Sequence, residues 1–298
     1  MKRLLVAAAL APLVFAAQAR AGTITGADKN THSTAAEGDI TVASGASVTP
    51  PTSTSSGTVA ILLNSNNSVT VDGAIDVTEK TTGVTTNQGI DTGPFANGSD
   101  RFGIQVAGSG PFTGTITIDT SGSISVIGEN SAGIAVDTGL NGAVVDNGTI
   151  TVTGGNANTT DVSYGIIIAP GAPVTGNLSI GGTITVTGQN ATGVAADGNI
   201  GGSIDVNAGI TATGFRSTTP PVAPSVLAKL NPDQLLIGGP ALEVGASVAH
   251  GVTIDAPVAA SGNVAATTGG SLNSIGSAPA LLIGGASPIT IGSGANGF

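Results

Sequence analysis

Short runs in which every second residue is apolar recur along most of this chain. Ile116 and Ile118, Ile124 and Val126, Ile150 and Val152, Ile184 and Val186, and Ile204 and Val206 each flank a Thr, a Ser or an Asp. Period two marks a strand with one buried face, so each run predicts a short strand. The runs come in a fixed order. One phrase reads Gly-Ile-Gln-Val at 103 to 106, Gly-Ile-Ala-Val at 133 to 136, Gly-Ile-Ile-Ile at 165 to 168 and Gly-Val-Ala-Ala at 193 to 196. A second opens at Gly114, Gly142, Gly176 and Gly202, and a third at Gly122, Gly148, Gly182 and Ala208. The opening glycines of the first phrase lie 30, 32 and 28 residues apart. Three short strands cannot bury an apolar face alone, and repetition at this period means that the units stack.

The expected fold is therefore all-β: a right-handed parallel β-helix (β-solenoid) with about 28–32 residues per coil. Ile and Val stack inside at about 4.8 Å per coil, and Thr and Ser face outward. An antiparallel meander or sandwich competes, because Asn-Gly pairs suited to hairpins stand at 97, 141, 147 and 296. The glycine that opens each phrase reads as a turn residue, free to reach positive φ. Residues 20–57 read as a cap or irregular first coils, 58–215 as the solenoid, 216–239 as a Pro-rich loop excursion with room for one helical turn, and 240–298 as the solenoid resumed. No polar cap is visible before Phe298, which leads us to expect further chain beyond it.

The first residues differ from the rest. Lys2 and Arg3 precede an apolar stretch from Leu4 to Ala17, and Ala17-Gln18-Ala19 has the small-x-small form of a signal-peptidase site. Residues 1–19 thus read as a signal peptide cut after Ala19, with Ala19-Arg20-Ala21 as a second frame. Export is the expectation, to the cell surface, the outer membrane or the medium by way of the periplasm. With no cysteine, the exported chain has no disulfide to stabilise it, and backbone ladders and stacked aliphatic side chains must do so. Eight basic against eighteen acidic residues give a formal charge of −10, which disfavours a nucleic-acid partner. With six Phe, one Tyr and no Trp, the core has to be aliphatic.

The signal segment, the repeated Gly-[Ser/Thr]-Ile-x-Val-x-Gly phrases, and the turns Gly128-Glu-Asn-Ser-Ala-Gly133 and Gly188-Gln-Asn-Ala-Thr-Gly193 together resemble the passenger domains of autotransporters, the type V secretion proteins. Leu235-Leu-Ile-Gly-Gly-Pro-Ala-Leu-Glu-Val244 followed by Gly251-Val-Thr-Ile-Asp255 is similar to a stretch of large passengers of that class. The resemblance implies a β-helical, adhesin-like surface protein and, as partner, an outer-membrane translocator barrel. The family's C-terminal barrel is absent from these residues, and no strand long enough to cross an outer membrane precedes Phe298.

Little material for catalysis is present. His32 and His250 are the two histidines, both read as surface-turn residues, and no Gly-x-Ser-x-Gly elbow occurs. Asp137 and Asp197 share a phase, each four residues after an opening Gly, with Ala107 and Ala169 at that place in the neighbouring repeats. They are the candidate pair for a polysaccharide lyase or glycoside hydrolase. Asp119, Asp146, Asp205 and Asp255 fall at other offsets. Phe102 and Tyr164, each before an opening Gly, are candidate sugar-stacking rings, and Asn130 and Asn190 share a turn position suited to a hydrogen-bond ladder. We expect no enzyme, cofactor or metal; the partners expected beside the barrel are glycans or a second copy. A periplasmic structural solenoid is a further alternative.

Overall fold

The computed structural model describes residues 21–52, 57–79, 85–87, 90–92, 96–155, 162–214, 223–229, 238–256, 269–276, 278–285 and 287–292. The signal segment with Ala19, much of the excursion at 216–239 and the terminal Phe298 lie outside these residues. Three parallel sheets of eight strands run along the described chain, and in each the spatial order follows the sequence. Each coil gives one strand to each sheet, which makes the protein a parallel β-helix.

The three phrases map onto the three sheets. The first sheet runs from Gly22–Ile24 through Ile116–Ile118, Val144–Asp146 and Leu178–Ile180 to Val252–Ile254. The second runs from Ala27–Asp28 through Ser123–Ile127, Thr149–Thr153 and Thr183–Thr187 to Ser271–Ile275. The third runs from His32–Ser33 through Arg101–Val106, Ala132–Val136, Tyr164–Ile168 and Thr192–Ala196 to Leu281–Ile283.

Register explains the alternation. Ile61, Ile104, Ile134, Ile166, Val194 and Leu242 are successive partners in the third sheet, and all are buried. Ile75, Ile124, Ile150, Ile184 and Ile210 form the matching row in the second. A fourth buried column, Leu140, Val174, Ile200 and Val248, fills the corner between the third and first sheets. Burying each such side chain stabilises the stack by about 1.5–3 kcal/mol, and the flat β-branched shape suits a pleated row. The excursion does not interrupt the rows, since Val194 pairs with Leu242 and Ile204 with Val252 across it. Its described part holds one short helix, Pro224–Leu227.

The opening glycines of the third-sheet phrase are not turn residues. Gly103, Gly133, Gly165 and Gly193 lie inside strands. A Cβ on Gly133 would stand 2.4 Å from Cγ2 of Ile150 and 2.7 Å from the carbonyl oxygen of Gly165. Crowding by the next coil and by the second-sheet isoleucine, rather than backbone conformation, requires glycine there. The left-handed backbone sits at the corner before this sheet, at Asp100, Asn130 and Asn190, with φ of 58°, 46° and 55°. Asn and Asp tolerate that region better than other side-chain-bearing residues, and Asn130 Nδ2 donates to Asp100 Oδ1 at 2.6 Å.

Among the described residues two charged side chains, Arg101 and Asp146, are buried in the stack. Arg101 is wholly buried at the corner between the second and third sheets, where its Nη2 meets Glu79 Oε2 at 3.1 Å and its Nη1 donates to the carbonyl of Ile127. Asp146 occupies the inward row Val71, Ile118, Asp146, Ile180, Val206. Its Oδ1 accepts the amide of Gly148 at 3.0 Å, and Oδ2 is buried without a partner. Loss of hydration on burial pushes this carboxyl up to about 6, against the pull of the Gly148 amide.

The first coil is a member of all three sheets yet is built differently. Asp28 and His32 occupy inward rows that carry Val48 and Ile61 one coil later. His32 Nδ1 lies 3.0 Å from Glu37 Oε1 and its Nε2 3.5 Å from Asp28 Oδ2, so three polar side chains close this end of the core. His32 is thus not a surface-turn residue: only 9% of its side chain is exposed. His250 does lie exposed in a turn.

Candidate functional site

The outward rows of the three sheets carry different chemistry. On the second sheet, Ser125, Thr151, Thr185 and Thr211 are successive partners, with Thr149 beside Thr183 and Thr153 beside Thr187. Hydroxyls therefore repeat at about 4.8 Å from coil to coil on a rigid backbone. Most of the first sheet's outer row is also hydroxyl-bearing: Thr41, Thr70, Thr117, Val145, Ser179, Asp205.

The third sheet departs from this pattern. Its outward rows read Gln105, Ala135, Ile167, Ala195, Glu243 and Phe102, Ala132, Tyr164, Thr192. Large and small side chains alternate coil by coil in both. Ala132, Ala135 and Ala195 point outward but are wholly buried, in register between the larger residues of neighbouring coils. This face is packed rather than solvated.

Asp137 and Asp197 follow equivalent strand ends two coils apart, with Ala169 at that place between them. The expected pair is not brought together. Asp137 is exposed and accepts from Gln105 Nε2 at 2.6 Å, toward the preceding coil. Asp197 leans the other way: a Cβ on Gly245, in the following coil, would come within 2.2 Å of its Oδ1. Its companion is Glu243, which stands over Ala195. Burial raises the Asp197 carboxyl above the usual range; burial and then the charge of Asp197 do the same for Glu243. Burial first, then Asp197 and Glu243, push up the Tyr164 phenol. These three groups share one neighbourhood of low polarity and like charge.

Phe102 and Tyr164 stand in one row two coils apart, each partly buried, with Ala132 between them. Glu243 escaped the sequence reading, although the phrase Pro240-Ala-Leu-Glu-Val244 was legible as a strand. Aligning it with Thr192–Ala196 places Glu243 in the outward row. Asp119 also has a partner the phrase offsets hid: a side-chain hydrogen bond with Asp72 on the neighbouring coil raises its carboxyl, with burial and the Asp72 charge adding to it.

Compared with family models, curated proteins and solved structures, the chain matches none. Function has to be argued from these faces alone. Among the described residues no group of three or more His, Asp or Glu is arranged to hold a metal ion. The apolar hollow of about 350 Å³ at the corner by Val174, Ile200 and Val248 is lined by no titratable side chain.

Proposed function

We propose that this protein is an exported, surface-displayed solenoid of the autotransporter passenger type, with a structural and adhesin-like role in attachment or cell–cell contact. The observation that carries the reading is the second-sheet array of outward Thr and Ser, held in register over successive coils by the ladder beneath. A fixed lattice of hydroxyls makes many weak, parallel hydrogen bonds to a surface that is itself repetitive, such as a glycan chain. Its ordering entropy was already lost when the protein folded. The signal-like segment supports export, and a translocator barrel is the partner this reading requires. Cells displaying the protein should aggregate or attach more than cells lacking it, and equal behaviour would remove the adhesin role. Substituting Thr151 and Thr185 with Lys should abolish the difference while leaving display intact.

A second reading, a carbohydrate-active enzyme, draws on Asp197 and Glu243 beside Tyr164. Two carboxyls held toward protonation in one neighbourhood are the raw material of acid–base chemistry on a glycosidic bond. Polysaccharide cleavage that vanishes in Asp197→Asn and in Glu243→Gln would establish it. Cleavage unaffected by either change would clear both residues.

A further inference from the structure

In the middle of the stack the outward face of the second sheet repeats in two directions at once. Thr149–Thr153 reads Thr-Ile-Thr-Val-Thr, Thr183–Thr187 repeats it residue for residue, and all five positions pair in register. Ile150, Val152, Ile184 and Val186 are buried beneath, so the six threonines of these two strands point outward. Ser123 and Ser125 extend the array by one coil on one side, and Thr211 extends it on the other. Hydroxyls thus recur about 4.8 Å apart from coil to coil and about 6.6 Å apart along a strand, two residues of about 3.3 Å each. None of these hydroxyls is bonded to another described residue, and no charged residue lies in the strands Ser123–Ile127, Thr149–Thr153, Thr183–Thr187 and Gly209–Thr213. The first sheet offers no such lattice. Its three-residue strands present one outward column, and Val145 and Asp205 interrupt that column.

We propose that this face binds ice. The inference rests on reading the second sheet as the working face, and it names a crystal of water, rather than a glycan, as the repetitive surface met there. A glycan chain repeats in one direction and engages one column of hydroxyls. Here Ser123, Thr149 and Thr183 form one column, Ser125, Thr151, Thr185 and Thr211 a second, and Thr153 and Thr187 a third. The prism face of hexagonal ice repeats its oxygens in two perpendicular directions, with a short and a long spacing near the two of this array. Threonine suits such a partner better than serine, because two heavy atoms on Cβ stiffen χ1 and fix the places of hydroxyl and methyl together. Water bonded to the hydroxyls and caged over the methyls is then ordered before contact, which cuts the ordering cost of binding. A charged side chain would hold its own hydration shell against that order, and these strands carry none. The buried ladder Ile124, Ile150, Ile184, Ile210 beneath keeps the strands stacked and the face flat. Ice held at such a face grows only as curved fronts between bound molecules, which lowers the temperature of growth below that of melting.

Thermal hysteresis, the gap between the melting and growth temperatures of a single ice crystal in a solution of the purified chain, tests this. The unmodified protein should open such a gap, and a fluorescently labelled copy should be taken up by a growing ice hemisphere. Thr151→Lys with Thr185→Lys should lose both effects, whereas Thr70→Lys with Thr117→Lys on the first sheet should keep them, the circular dichroism being unchanged in each. Thr151→Tyr keeps a hydroxyl and a strand-forming side chain but stands out of the plane of the array. It should also lose the gap, which separates a lattice match from hydrogen bonding alone. No gap and exclusion from ice for the unmodified protein overturn the inference. The adhesive role is decided separately by the attachment of displaying cells at room temperature, where no ice is present. A gap that survives Thr151→Tyr, or that the first-sheet pair abolishes equally, also overturns the inference by placing the contact elsewhere.

Discussion

Asp146 offers the sharpest test of how this stack is held together. Its carboxyl stands in a row whose other members are Val71, Ile118, Ile180 and Val206, and burial moves it from 3.8 to about 6. That change disfavours the ionised form in the fold by about 3 kcal/mol, at about 1.36 kcal/mol per pH unit. The sign follows from proton counting: between the two values the folded chain holds a proton that the unfolded chain has released, so stability falls as pH rises. This group's contribution is fully present below about pH 4 and is lost by about pH 6–7. Asp146→Asn keeps an oxygen for the Gly148 amide and has no charge to bury. The variant should therefore exceed the natural chain in stability by about 3 kcal/mol at pH 7, and the two curves should converge near pH 4. Guanidinium unfolding at stepped pH measures the difference. Hydrogen exchange at Val144–Asp146 and Leu178–Ile180 localises it, because each coil contacts only its neighbours. Parallel stability curves from pH 4 to 8, or an Asn variant weaker than the natural chain at pH 7, would refute the reasoning.

Three further outcomes follow from packing and charge. Gly165→Ala forces a methyl to within 2.3 Å of Ile184 Cγ2 and 2.5 Å of the Gly193 carbonyl oxygen, and should cost about 1–3 kcal/mol by overpacking, read as a lower denaturant midpoint. Arg101→Leu leaves Glu79 buried without its 3.1 Å partner and should cost about 3–5 kcal/mol, a loss that added salt does not mimic. Tyr164 is the only tyrosine and no Trp is present, so an ultraviolet titration reports its phenol directly. It should ionise above the ordinary phenol range, and Asp197→Asn with Glu243→Gln should bring it down; an unchanged titration would place the carboxyls elsewhere.

The coil was legible because one sequence signal, the period-two aliphatic pair, is produced by one physical cause, the inward row. Ile124, Ile150 and Ile184 announce both their strand and their partners. The first coil was harder to read, because Asp28 and His32 stand where the pattern calls for aliphatic residues, and the two-residue strand His32–Ser33 is too short to show alternation. Asp146 was hidden for the same reason: an inward carboxyl breaks the pattern that identifies inward positions. The glycine rows were read as conformational although they are steric, a distinction that depends on which side chain lies above and so on register. The Asp197 and Glu243 neighbourhood spans the excursion at 216–239, whose length conceals that the two residues belong to adjacent coils.

The contrast between the first described coil and the coil of Leu281–Ile283 gives the described stack a direction in time as well as in space. The middle coils have their inward rows buried between two neighbours, whereas Ile254 and Ile283 meet water, so among the described coils thermal opening is easiest in the one that holds Val252–Ile254 and Leu281–Ile283. In the first coil His32, with 9% of its side chain exposed, lies 3.0 Å from Glu37 and 3.5 Å from Asp28. Fraying should therefore be fastest in the amides of Leu281–Ile283 and slow progressively toward Ile40–Val42, a gradient of lifetimes along the rod.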